Sequence, residues 1–173
     1  MLSARAIFAI FALLSLAAVA AAVWCAPRAT LRLFVATIVR AGWRYSVQHA
    51  DRLPVTGPVV VVANHLSWLD GFVLVLSAPR QLRMMVYGPN IRGWFLRMLS
   101  EQWRFILFEP NPKSVARALK TMQTGLVAGD AVGIFPEGGI SRTGQILGFR
   151  RGLDWLLERA KARIVPVHID GMW

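Results

Sequence analysis

The run Val59-Val60-Val61-Val62-Ala63 constrains the fold of this chain more than any other stretch. It is short, β-branched and without a polar side chain, and Gly57-Pro58 introduces it. Such a run reads as a strand buried on both faces, as in a parallel sheet. A second short apolar run, Ala131-Val132-Gly133-Ile134-Phe135, has the same character. Helical patterns lie between and around these strands, so the chain is expected to be an α/β domain with a mainly parallel sheet flanked by helices.

Both runs end in loops that carry chemistry. The first is followed by Asn64-His65-Leu66-Ser67-Trp68-Leu69-Asp70. His65 therefore falls just past the carboxyl end of a core strand, where open α/β sheets bind ligands. Asp70 falls on the first turn of a helix through Gly71–Leu76. A tight turn lets its carboxylate reach one imidazole nitrogen and leaves the other free to take a proton. Taken alone, the pair also fits a satisfied loop histidine. The second run leads into Pro136-Glu137-Gly138-Gly139, which adds an acidic residue and two glycines at another strand end. The combination is more specific than either part.

This pattern resembles the glycerolipid acyltransferases of the lysophosphatidate acyltransferase (PlsC-like) type. Their first motif matches His65 and Asp70, their third Phe135-Pro136-Glu137-Gly138, and their fourth Val165-Pro166-Val167. The likeness covers about residues 45 to 173. It is closest to the acyltransferase part of bacterial lysophospholipid acyltransferase/acyl-carrier-protein synthetase fusions. Arg104-Phe105-Ile106-Leu107-Phe108-Glu109-Pro110 and the run from Phe135 to Gly144 carry that closer likeness.

The resemblance implies acyl transfer from an acyl-carrier-protein or coenzyme A thioester to the free hydroxyl of a lysophospholipid. It gives His65 and Asp70 the catalytic role. Glu137, Gly138, Gly139, Ser141 and Arg142 are the expected substrate-binding residues, and Glu137 has a plain alternative as a loop carboxylate paired with an arginine. No cofactor and no metal are expected. Ser67 sits inside the motif without a second His-Asp pair to serve it, which argues against an acyl-serine intermediate. Backbone amides near His65 or in Gly138-Gly139 are both open as donors to the oxyanion.

An acceptor phosphate calls for arginine. Arg104, Arg142, Arg150 and Arg151 are the candidates, although each taken singly also reads as a solvated surface residue. The chain departs from the lysophosphatidate enzymes at their second motif, because Phe105–Pro110 contains no arginine. Glu109 there suits a zwitterionic amine headgroup, of the 2-acyl-glycerophosphoethanolamine type. Acylation of 1-acylglycerol-3-phosphate is the second enzymatic reading. A truncated, non-catalytic lipid-binding membrane domain is the third.

The ends of the chain bear on location. Ala6 to Trp24 is uncharged and almost wholly apolar. About 20 such residues span a bilayer core. Residues 1–28 are therefore expected to be a transmembrane anchor, with a cleaved signal peptide as the rival. Arg28, Arg32, Arg40 and Arg44 follow the span and place the next domain in the cytoplasm, in a bacterial inner membrane on the resemblance. Residues 29–50 form a linker with an amphipathic helix over Leu31–Val47, either interfacial or an ordinary domain helix. Residues 51–173 form the acyltransferase domain.

A formal net charge of +11 with 55% hydrophobic residues points to a membrane surface. No nucleic-acid partner is expected, because no zinc-finger spacing or RNA-binding aromatic signature is present. The single Cys25 excludes an internal disulfide. The sequence stops at Gly171-Met172-Trp173, soon after a strand that would need cover, and the span before the domain resembles the last helix of a transporter domain in some fusions. Both features suggest a C-terminally truncated chain or a fragment of a longer one.

Overall fold

The computed structural model describes residues 3–150 and 153–172. The chain divides into two units between Tyr45 and Ser46.

The first unit is a pair of helices. Helix α1 (Ala4–Cys25) is capped by Ser3, whose Oγ accepts from the Ala6 N–H at 3.3 Å. Its 22 residues rise about 33 Å, enough for a hydrocarbon core of about 30 Å. No residue of α1 is buried, and its best window has a mean hydropathy of 2.7. Pro27 then opens α2 (Pro27–Gly42), where its missing N–H costs nothing. Thr30 Oγ1 donates across the break to the Ala22 carbonyl at 3.0 Å. The amphipathic segment expected over Leu31–Val47 thus starts earlier and stops at Gly42, after which Trp43 is extended. Leu31, Val35 and Val39 are buried, while Leu33, Phe34 and Ile38 remain exposed.

The second unit is built on five parallel strands: β1 (Val59–Ala63), β2 (Leu82–Tyr87), β3 (Ile106–Phe108), β4 (Ala131–Ile134) and β5 (Arg163–Val167). Their order is β3-β2-β4-β1-β5. The valine run is therefore paired on both sides, by β4 and β5, which is why it has no polar alternation. β5 lies at an edge, and that position tolerates Pro166, which has no N–H to donate.

Four helices connect the strands: α3 (Asp70–Ser77), α4 (Gly93–Gln102), α5 (Pro112–Val127) and α6 (Leu153–Ala160). α3 ends where Ala78, the residue before Pro79, turns extended. α4 begins later than its apolar spacing from Pro89 suggests, because Gly88–Asn90 forms a short 3-10 turn first. α5 is capped by Asn111, whose side chain accepts the Ser114 N–H at 2.8 Å. The Ser114 hydroxyl in turn accepts the Glu109 N–H. In α6, Leu156 is fully buried. The burial of Leu153, Leu157 and Ala160, expected to share its stripe, lies outside the described residues, as does the helix start expected at Gly152.

One sheet face presents Val60, Val132, Ile134 and Ile106 to Ala118, Met122 and Leu126 of α5 and Leu156 of α6. The other presents Val59, Val61, Leu82, Met84, Ala131 and Gly133, by register. Gly133 is required there. A β-carbon on it would fall 2.3 Å from Met84 Sδ and 3.2 Å from Leu82 Cδ2, and both side chains are buried. Gly133→Ala is expected to lower the stability of the unit by about 1–3 kcal/mol, the usual cost of overpacking. Chemical denaturation in detergent measures this, and Met84→Val in the same chain should recover part of the loss.

The amino edge of the sheet is held by arginines. Arg80 donates to the Gly57 and Gly129 carbonyls, and Arg83 pairs with Asp130 Oδ2 at 2.7 Å. Arg104 also lies on this edge, with its guanidinium 3.8 Å from Asp130. These arginines face away from the carboxyl edge, so Arg104 is removed from the candidate phosphate partners.

Candidate active site

At the centre of the sheet, the adjacent strands β1 and β4 form a topological switch point. β1 leads out towards β2 on one side, while its neighbour β4 leads out towards β5 on the other. The loops after β1 and β4 meet at the carboxyl edge, where open α/β sheets bind ligands. His65 and Glu137 stand in those two loops.

Asp70 is the first residue of α3 and has no solvent exposure. Its Oδ2 lies 3.0 Å from His65 Nδ1 and accepts the backbone N–H groups of Leu66 and Ser67. Its Oδ1 accepts the Ser67 hydroxyl at 2.7 Å. Burial pushes the carboxyl up, but the hydrogen bonds from His65, Ser67 and Leu66 outweigh it, and the group is held below its ordinary range. Asp70 is thus a carboxylate, and a carboxylate only accepts. Nδ1 of His65 must carry a proton, and in the neutral ring this leaves the lone pair on Nε2.

The lowered carboxyl has a pH signature. A carboxylate depressed in the folded state stabilises it above the unfolded value of about 3.9 and loses that contribution as pH falls through the folded value. The stability gap between the native chain and Asp70→Asn is therefore expected to be full at neutral pH. It should close as pH drops below the ordinary carboxylate value. Denaturant midpoints of both chains across that range check this.

His65 is gripped by its backbone and left free at its ring. Its N–H donates to Glu137 Oε1 at 2.9 Å, and its carbonyl accepts the Ser141 N–H at 2.8 Å. The imidazole stacks on Phe135, with ring centres 4.0 Å apart and planes at 9°. The side chain keeps 18% of its surface exposed.

The loop after β4 is organised by Glu137, which is 2% exposed. Its second oxygen accepts the Leu147 N–H at 2.8 Å, so both oxygens are taken by backbone groups rather than by an arginine. Gly138 has φ +66° and lies under the Arg150 side chain; a β-carbon there would sit 2.9 Å from Arg150 Cγ. The Gly139 β-carbon position is open. Ser141 is buried, and its hydroxyl donates to the Gln145 carbonyl at 2.6 Å. Arg142 and Arg150 are exposed on this loop, whereas Arg151 lies outside the described residues.

The structure thus brings His65, Asp70, Glu137 and Ser141 into one hydrogen-bonded assembly. Three contributions were not legible beforehand. Ser67 orients Asp70 and is itself held by the Leu69 N–H at 3.2 Å. Phe135 backs the imidazole. Asn64 is buried and bonds both ways to Ile169, donating to its carbonyl at 2.8 Å and accepting its N–H at 2.7 Å. That pair links the His65 loop to the chain just past the end of β5 at Val167. Among the described residues, no group of three or more His, Cys, Asp or Glu is placed to hold a metal ion.

Fold and site define a parallel α/β domain that presents a His-carboxylate pair at the switch point of its sheet. The family model described as "Acyltransferase" matches residues 44–170, and the chain belongs to that family. It is 31% identical over 134 residues to the 1-acyl-sn-glycerol-3-phosphate acyltransferase alpha of Mus musculus, covering 73% of this chain and 45% of that protein. It is 26% identical over 145 residues to a chloroplastic 1-acyl-sn-glycerol-3-phosphate acyltransferase of Arabidopsis thaliana, covering 81% of this chain and 40% of the relative. The chain therefore spans less than half the length of these curated relatives. Its fold is similar to that of the 1-acyl-sn-glycerophosphate acyltransferase PlsC from Thermotoga maritima, with a TM-score of 0.64 at 19% identity, covering 83% of this chain and 59% of that one.

Proposed function

We propose that this chain transfers an acyl group from a thioester to the free hydroxyl of a lysophospholipid, with His65 as general base. The observation that carries this is the 3.0 Å contact of His65 Nδ1 with the buried Asp70 carboxylate, which leaves Nε2 as the basic atom of a partly exposed ring. Nε2 takes the acceptor's hydroxyl proton as its oxygen attacks the thioester carbonyl carbon. Asp70 stabilises the imidazolium that forms. The tetrahedral intermediate then collapses, the C–S bond breaks, and the leaving thiolate takes the proton from Nε2. The products are an ester and a free thiol.

The developing oxyanion needs donors. The amides of His65, Leu66, Ser67, Gly138 and Ser141 are engaged within the two loops. The amides of Trp68, Gly139 and Ile140 are used by none of these bonds, and the oxyanion is assigned to this set. Ser67, with its hydroxyl committed to Asp70, is a positioning residue rather than a nucleophile.

The donor is an acyl-carrier-protein or coenzyme A thioester. The names of the relatives support lysophosphatidate as acceptor. One observation favours a second reading: Glu109, exposed just past the carboxyl end of β3, stands in a stretch without arginine and suits an amine headgroup of the phosphoethanolamine kind. α1 anchors the protein in the inner membrane, and the arginines after it keep the second unit on the cytoplasmic side.

The test is acyl transfer by membranes containing the chain. Labelled acyl-carrier-protein and coenzyme A thioesters are offered to lysophosphatidate and lysophosphatidylethanolamine in parallel, with His65→Ala as control. Transfer that depends on His65 supports the proposal, and the better acceptor identifies the headgroup. A folded chain inactive on both acceptors, or one whose transfer survives His65→Ala, overturns it.

A further inference from the structure

The imidazole of His65 has two neighbours of different kinds. Asp70 lies at its edge, on Nδ1, and Phe135 covers one of its faces. The chain fixes this stack from both sides. Phe135 is the first residue past β4, and its carbonyl accepts the Gly138 N–H at 3.1 Å in the turn that follows. The same loop then grips the backbone of residue 65 twice. Glu137 accepts its N–H, and the Ser141 N–H reaches its carbonyl. Both rings are thus carried by backbone that is cross-bonded, and they lie 4.0 Å apart at 9°.

The charge distribution of the rings decides what such a stack does. Aromatic faces are negative, so neutral pairs prefer offset or edge-to-face contacts to a parallel stack. The electrostatic gain is therefore small while His65 is neutral. Proton uptake at Nε2 reverses this. A cation within about 6 Å of a ring centroid is attracted to the ring face, and the imidazolium lies well inside that distance. The His65 side chain is only 18% exposed, so water screens the contact poorly. Two carboxylates stand near the ring. Asp70 of α3 favours the protonated form from the edge, and Glu137 spends its oxygens on the His65 and Leu147 amides. Arg142 and Arg150 are exposed on the loop beyond it. Phe135 alone covers the ring with a π-face among the aromatic contacts of His65.

We propose that Phe135 is a positioning residue whose ring face stabilises the protonated imidazole of His65 and, through it, the transition state of acyl transfer. The kinetic half rests on the function proposed above; the contact with the protonated ring does not. An interaction that is strong only while Nε2 holds the acceptor's proton speeds the step without tightening either substrate. Its expected size is roughly 3- to 30-fold in kcat, the range of such contacts from exposed to desolvated sites. KM for donor and acceptor should not move.

Fluorination of the ring at nearly constant shape tests this. Mono-, di- and trifluorinated phenylalanine replace Phe135 in the full chain by nonsense suppression, and each fluorine draws density from the ring face. Two quantities are read. NMR of chains with ¹³C-labelled histidine follows the pH at which His65 takes its proton, and His65→Ala separates its signal from those of His49 and His168. Kinetics with a labelled acyl thioester and lysophosphatidate give kcat and KM. The expected result is a protonation midpoint that moves to lower pH with every fluorine. In step with it, kcat should fall at constant KM, and the acid limb of its pH profile should shift the same way. Phe135→Leu keeps apolar bulk without a π-face and should behave like the trifluorinated chain. Packing alone would leave both quantities indifferent to fluorine, and a constant midpoint or a constant kcat across the series overturns the proposal. A native chain without His65-dependent transfer overturns the function proposed above instead. The midpoint series then decides the ring contact by itself, a falling midpoint upholding it and a constant one ending it.

Discussion

His65→Ala is expected to remove acyl transfer almost completely, by roughly 10³-fold or more in kcat, while the protein stays folded. General-base catalysis is commonly worth about 10²–10⁴, and here the base is also the only imidazole in the loops after β1 and β4. Folding survives because the contacts that lock this loop use backbone. The amide of residue 65 still donates to Glu137 and its carbonyl still accepts from Ser141. What the fold loses is the stacked ring on Phe135 and one donor to Asp70, which keeps its other three. Single-turnover kinetics beside a thermal melt separate the two effects. A variant that loses activity only in proportion to folded protein would remove His65 from the chemistry.

Asp70→Asn is expected to cut kcat by about 10²–10⁴-fold with a smaller loss of stability, about 1.5–3 kcal/mol for hydrogen bonds that lose a charged partner. The asparagine can set its carbonyl where Oδ2 stands, facing the His65 Nδ1 proton and the Leu66 and Ser67 amides. Its NH₂ then meets the Ser67 hydroxyl, which can rotate and accept. Geometry and tautomer are kept, and the negative charge opposite the imidazolium is lost. KM for the acceptor should stay nearly constant, since the buried carboxylate has no exposed surface to offer a substrate. A variant whose KM rises while kcat holds would place Asp70 in binding instead.

The strands that carry the site were legible because they are paired on both sides. Val59–Ala63 and Ala131–Ile134 have no polar face to confuse the pattern, and their loops had to open at a strand end. The His65–Asp70 juxtaposition was legible because five residues of local chain set it. Helix starts were less so. The start of α5 at Asn111-Pro112, a cap followed by a proline at the first helical position, is shown by the hydrogen bond from the Ser114 N–H to Asn111. Strand order was not legible, because nothing in a parallel strand names its neighbours.

Long-range partners of polar side chains stayed out of reach for the same reason. Glu137 reads as a charged loop residue until its oxygens are seen on amides 72 residues before it and 10 after it. Asn64 looks like the first polar residue after a strand, and its partner lies 105 residues away.

That last separation has a consequence for synthesis. The catalytic loop is emitted by the ribosome early, directly after β1, yet the backbone that braces Asn64 belongs to Ile169. While β2 and β3 are being made, β1 also lacks both of its neighbours, β4 and β5. A nascent chain therefore carries His65 on an unbraced loop until β5 emerges and pairs. The reactive centre is therefore complete only once β5 has been added, and not at the point where its own residues are emitted.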